Sequence, residues 1–255
     1  MRISSYFAYV LLAAFAFLTG CATNPVTGES QIMLISGSQE RALGLEADKG
    51  VREEYGVYDN PALQAYVNDI GQKLAAQSQR AGLDWKFTVV DSPEINAFAL
   101  PGGFIYITRG LMAYLDNEAE LAGVLGHEIG HVTARHGVEQ QSKGLLVGLG
   151  GVALELLTGV SGVSDLTSSL ATVGYLLPKS REHELQADQL GAEYLSRTNY
   201  NPDSMVKVIE VLKLQEQFAN DQSRNKATRA ERLPNWLSTH PSNDQRLSQI
   251  EVIAN

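Results

Sequence analysis

Apolar side chains recur at intervals of three and four along several stretches of this chain, and alternate along others. Leu63, Val67, Ile70 and Leu74 form one stripe, a spacing that puts them on one helix face. Asn60-Pro61 opens that helix with a capping side chain followed by proline at its first position. Trp85, Phe87 and Val89 alternate with Lys86 and Thr88, which predicts a half-buried strand over 85–91. Asn96 to Ala99 and Phe104 to Thr108 read as two more extended pieces, joined across Pro101-Gly102-Gly103, with a short helix over Gly110 to Leu115. Leu121, Val124, Leu125 and Val132 give the apolar face of a longer helix, predicted from near Asn117 to about Gln140.

Further helices are predicted over Ser38 to Tyr55, Ser180 to Ser196 and after Asn201-Pro202, the last with Val206, Ile209, Leu212 and Leu214 inward. A short terminal helix is expected after Pro241, with Leu247 and Ile250. Asn220 to Arg232 is polar and reads as a loop. Gly144 to Leu177 holds only Glu155 and Asp165 as charged residues. It reads as a helical hairpin or lid, or equally as an ordinary buried pair of helices. The pattern as a whole predicts an α+β fold, mainly helical, with a small sheet.

The first twenty residues differ from the rest. Arg2 is followed by an apolar run from Tyr6 to Leu18, too short for a comfortable membrane span and suited to an export leader. It ends in Leu18-Thr19-Gly20-Cys21, and Cys21 is the only cysteine of the chain. Leu-x-Gly-Cys resembles the bacterial lipobox, in which the cysteine is lipidated. The expected division is a leader over 1–20, a lipidated tether over 21–36 that leads into an extended piece from Gln31 to Ile35, and a single folded domain over 37–255. Ala22 follows the cysteine where lipoproteins retained at the inner membrane often carry Asp, so the expected place is the outer membrane, facing the periplasm. A formal net charge of -9 over 255 residues makes nucleic acid an unsuitable partner.

The chemistry is carried by His127-Glu128-Ile129-Gly130-His131. Two imidazoles four residues apart lie one helical turn from each other and can grip one cation, with Glu128 placed to take a proton from the water that the cation activates. A catalytic zinc site takes three protein ligands. His136 lies five residues beyond His131 and points off that face of a continuous helix. The longer motif H-E-x-x-H-x-x-G-x-x-H is excluded, because its glycine and last histidine positions are Ala134 and Gly137. Glu184 fits better: it opens Glu184-Leu185-Gln186-Ala187-Asp188, so Asp188 lies one turn on and can accept a ligand's ring N–H. Arg181, Glu182 and His183 read as surface. His240, in Ser238-Thr239-His240-Pro241, is either a capping or surface residue or one that enters the cleft.

These residues, with S-R-x-x-E-x-x-A-D at 180–188 and Asn96-Ala97-Phe98-Ala99 before Pro101-Gly102-Gly103, resemble the HtpX/prenyl-protease type of zinc metallopeptidase, nearest its exported BepA- and LoiP-like members. Asn24 to Gly28 and His240-Pro241 with Arg246 also fit, so the resemblance runs from about Asn24 to Ile250. It implies a zincin-type catalytic domain with the small sheet packed beside the H-E-x-x-H helix. It implies one Zn2+ per chain on His127, His131 and Glu184, Glu128 as general base, Asp188 behind a ligand, and His240 close enough to assist catalysis or to hold the enzyme latent. His240 and then Arg246 are the expected oxyanion donors, and Asn96, Ala97, Phe98 and Ala99 the expected edge that holds substrate. The expected activity is endopeptidase cleavage of unfolded or misassembled envelope proteins, with outer-membrane assembly machinery as a candidate partner. The alternative is an envelope assembly factor or chaperone whose zinc site is latent.

Overall fold

The computed structural model describes residues 21–158, 179–210 and the single positions 213, 240, 246, 248, 249 and 252. The elements are strands β1 (Cys21–Thr23) and β2 (Ser30–Ile32), helices α1 (Gly37–Tyr55) and α2 (Pro61–Ala75), and strands β3 (Lys86–Val90), β4 (Ala97–Leu100) and β5 (Phe104–Thr108). Helices α3 (Arg109–Met112), α4 (Glu118–Thr133), α5 (His136–Thr158) and α6 (Arg181–Arg197) follow, and then a helical stretch over 203–210. The fold is α+β and mainly helical, with one three-stranded sheet beside the motif helix. Most of Gly144–Leu177 beyond residue 158, with Leu212, Leu214, Leu247, Ile250 and the 220–232 loop, lies outside the described residues.

The cap read from sequence at Asn60 is in place, and the structure adds caps at Ser36 and Asn117. Asn60 accepts the Leu63 N–H at the start of α2, and Ser36 and Gln39 form a reciprocal box at the start of α1. Asn117 accepts the Glu120 N–H at the start of α4, while the Glu120 carboxylate accepts the Asp116 N–H.

The sheet runs in the order β3-β5-β4, with β3 parallel and β4 antiparallel to the central β5. That places β4 at an edge. Strand β3 is buried at four of its five positions, including Thr88, so it is not half-buried as its alternation predicts. The second face is covered because Tyr55, Ala47 and Val51 of α1 pack with Val90, Phe98 and Tyr106, while α2 and α4 cover the other side with Val67, Leu74, Leu121 and Leu125. No described helix is long and apolar enough to cross a membrane.

The motif helix departs from its prediction in two ways. It is buried along its whole length from Glu120 to Thr133, not on one face. It also stops at Thr133, with Arg135 in the left-handed region (φ 61°), and a new helix starts at His136. Arginine rarely adopts this conformation, and tertiary contacts hold it there. The Arg135 guanidinium bonds Glu40 (2.9 Å) and the Ile35 carbonyl (2.9 Å). The buried Glu40 carboxylate also accepts from Nη1 and Nη2 of Arg80 and from the Gly102 N–H, and Arg80 donates in turn to the Val132 carbonyl. One carboxylate of α1 thus ties down the end of α4, the start of α5 and the turn after β4.

The stretch expected as a tether carries the β1–β2 hairpin, and Met33 and Ile35 beyond it pack on Val138 of α5. The Leu34 N–H donates to Ser142 Oγ.

Helix α4 makes its largest contact with α6, and glycines allow it. A Cβ on Gly130 would stand 2.8 Å from the Ala187 carbonyl oxygen, and one on Gly126 2.9 Å from Leu195 Cδ1. Gly130→Ala is expected to destabilise the protein by about 1–3 kcal/mol through overpacking, seen as a Tm lower by several degrees in thermal unfolding. An unchanged Tm would show that the helices separate at no cost.

Candidate metal centre

Close packing of α4 on α6 faces His127 and His131 towards Glu184 and Asp188. All four side chains are buried to 3% exposure or less, and His240 joins them at 2%. His127 Nε2 lies 3.0 Å from His131 Nε2, and each lies 3.2 Å from His240 Nδ1. Glu184 Oε1 stands 3.1 Å from His240 Nδ1 and 3.3 Å from His131 Nε2, and its Oε2 3.5 Å from His127 Nε2. Donors bound at 2.0–2.1 Å to one tetrahedral ion stand about 3.3–3.4 Å from each other. The four side chains therefore mark the corners of such a site with little adjustment. The donor set, three imidazoles and a carboxylate, suits a borderline divalent ion. Burying these groups together without a cation leaves lone pairs facing lone pairs, so the residues fit a metal.

Asp188 and Glu184 set the electrostatics of the cluster. His127 Nδ1 meets Asp188 Oδ1 at 2.7 Å. Burial opposes charge on His127, but Asp188 and Glu184 outweigh it and raise its pKa to about 9. Burial, with the neighbouring imidazoles, holds His131 well below its ordinary value. Glu184 is held well below the carboxylate range: burial resists this, and His240, Arg246 and the two motif histidines overcome it.

Arg246 is fully buried, and its nitrogens reach Asp188 Oδ2 (2.7 Å), Asp188 Oδ1 (2.8 Å) and Glu184 Oε2 (2.9 Å). The expected oxyanion role for Arg246 is therefore corrected: its guanidinium is fully buried and pairs with the Asp188 and Glu184 carboxylates. The surface or capping alternative for His240 is likewise set aside by its burial among the donors.

Glu128 is buried on the cleft side, with Oε1 3.5 Å from His240 Nε2 and no hydrogen-bond partner for that oxygen among the described residues. Glu128, His131, His240 and Lys179 line an open cleft together with Phe98, Ala99, Leu100 and Pro101. Strand β4, from Phe98 onward, thus shares this cleft with His131 and His240, while Ala97 is buried in the core. Asn96 precedes the strand, buried, with its backbone paired to Thr108.

Two features escaped the sequence reading. Lys179 reaches the cleft wall from just before the α6 cap; burial lowers its pKa, with Glu128 and Glu184 opposing. His136 and His183 are not surface groups. His136 is fully buried, and its ring stacks on His183 at 4.1 Å between centroids. Arg181 and Glu182 are exposed, as read.

Residues 61–254 match peptidase family M48. The chain belongs to this family. It is similar to the beta-barrel assembly-enhancing proteases of Escherichia coli strain K12 (30% identity, covering 94% of this chain and 49% of that protein) and Yersinia pestis (34%, covering 91% and 47%). It is also similar to the mitochondrial metalloendopeptidase OMA1 of Arabidopsis thaliana, at 32% identity over 85% of this chain and 45% of that protein. The chain spans about half the length of these relatives.

Proposed function

We propose that this M48 chain is a zinc metalloendopeptidase of the bacterial cell envelope, held by lipid on Cys21 and facing the periplasm at the outer membrane, that cleaves unfolded or misassembled proteins. One observation carries the reading: His127, His131, Glu184 and His240 offer four buried donor atoms within 4.8 Å of one another, with Glu128 beside them at the head of a cleft. The names of the E. coli and Y. pestis relatives support the envelope role, as do the apolar leader and the Leu-x-Gly-Cys sequence.

His127, His131 and Glu184 would hold the ion. When bound, zinc supplies Lewis acidity that activates water and polarises a carbonyl. Glu128 takes the proton from the attacking water and returns it to the leaving amine. Substrate lies extended along the β4 edge, held through its main chain with little side-chain preference. Lys179, which lines the same cleft, supplies a positive charge for the developing oxyanion.

His240 occupies the corner that a catalytic site keeps for water. On this reading the arrangement is latent, and His240 withdraws for turnover. Zinc-loaded His240→Ala is expected to cleave casein at least about tenfold faster than wild type, the gain for an open state populated at a tenth or less. Cleavage by both proteins should stop with chelator and return with zinc. A slower variant would instead make His240 a participant in catalysis. Zinc-loaded protein that cleaves nothing in either form would favour the second reading, an assembly factor with a closed site, which the four-donor geometry also suits.

A further inference from the structure

The third imidazole of the motif region has a place in the fold that its spacing conceals. On a continuous helix, five residues would carry His136 well around from His131. The left-handed turn at Arg135 swings it back, so that His136 Nδ1 lies 2.8 Å from His131 Nδ1. On its far side, His136 Nε2 lies 2.8 Å from Gln186 Oε1. The ring plane is fixed by stacking on His183, 15° from parallel, and His183 is anchored through Nε2 to Glu139 Oε2 at 3.1 Å.

We infer that His136 is a positioning residue for His131: its Nδ1 accepts the His131 Nδ1–H and thereby turns the lone pair of His131 Nε2 towards the metal position. The proton accounting closes along the whole row. A ligating His131 needs its proton on Nδ1. His136 must then offer a bare Nδ1, so its own proton sits on Nε2 and is donated to the Gln186 carbonyl oxygen. The opposite proton order would put a hydrogen on His131 Nε2, where it excludes a metal. Asp188 serves His127 with a carboxylate; His131 is served by a neutral imidazole and an amide. The two ligands therefore differ in how strongly they are held, and Gln186 is the residue through which the second can be tuned.

The inference rests on the zinc reading above, and its test separates the two. Zinc affinity is measured by chelator competition on the full chain for wild type, His136→Leu, Gln186→Leu and Gln186→Glu, alongside kcat and KM on casein. Wild-type protein that binds no zinc overturns the metal reading and this one with it. With zinc bound by wild type, His136→Leu is expected to lose roughly 10–100-fold in affinity, the usual cost of removing a ligand's supporting partner. Gln186→Leu should lose less, and Gln186→Glu, which can only accept, should match or exceed wild type. Gln186 is only partly buried, so its variants decide the matter even where His136→Leu does not fold. Wild-type affinity in His136→Leu, or equal losses in Gln186→Leu and Gln186→Glu, would overturn the inference, since a residue that merely filled space would not distinguish a carboxylate from an isobutyl group.

Discussion

Glu128→Gln is expected to lose peptide hydrolysis while keeping its metal. The amide has the same shape and cannot take a proton from water, and Glu128 belongs to none of the four corners of the donor cluster. Loss of a positioned general base costs about 10²–10⁴ in rate, or roughly 3–5 kcal/mol of transition-state stabilisation. The check is kcat/KM on casein together with zinc per chain, in the His240→Ala background where the open site is most populated. Near-normal cleavage by a zinc-loaded Glu128→Gln protein would remove Glu128 from the chemistry.

Glu184→Ala is expected to lower zinc affinity by more than the roughly 10–100-fold that follows loss of a supporting residue, because it deletes a donor. It also removes one of the carboxylates that pair with the buried Arg246, and removing one member of a buried ion pair costs about 3–5 kcal/mol. Metal analysis and thermal unfolding of the metal-free form separate these effects: the first reads the ligand, the second the ion pair. Full zinc stoichiometry at submicromolar zinc in Glu184→Ala would exclude the carboxylate as a ligand.

How much of this is legible in the sequence differs from residue to residue. His127 with His131, and Glu184 with Asp188, each stand one helical turn apart, and local periodicity alone predicts which side chains share a face. That the two pairs face each other depends on Gly126 and Gly130 against Ala187 and Gly191, small residues whose role shows only once the helices are packed. The edge position of β4 follows from strand order, which no local pattern encodes. His136 was beyond reach because the break before it falls on Ala134-Arg135, a pair with no helix-stopping signature; the cause is Glu40, 95 residues earlier in the chain. Arg246 reads as a plausible cleft cation until its partners are seen, since sequence gives a charge but not the direction in which a long side chain reaches.

Anomalous diffraction at the zinc edge, from crystals of zinc-loaded protein, tests the central claim most directly. A single strong peak is expected about 2.0–2.1 Å from the Nε2 atoms of His127 and His131, within bonding reach of the Glu184 carboxylate. A peak that lies away from these three side chains, or none at all from protein that carries stoichiometric zinc in solution, would contradict it.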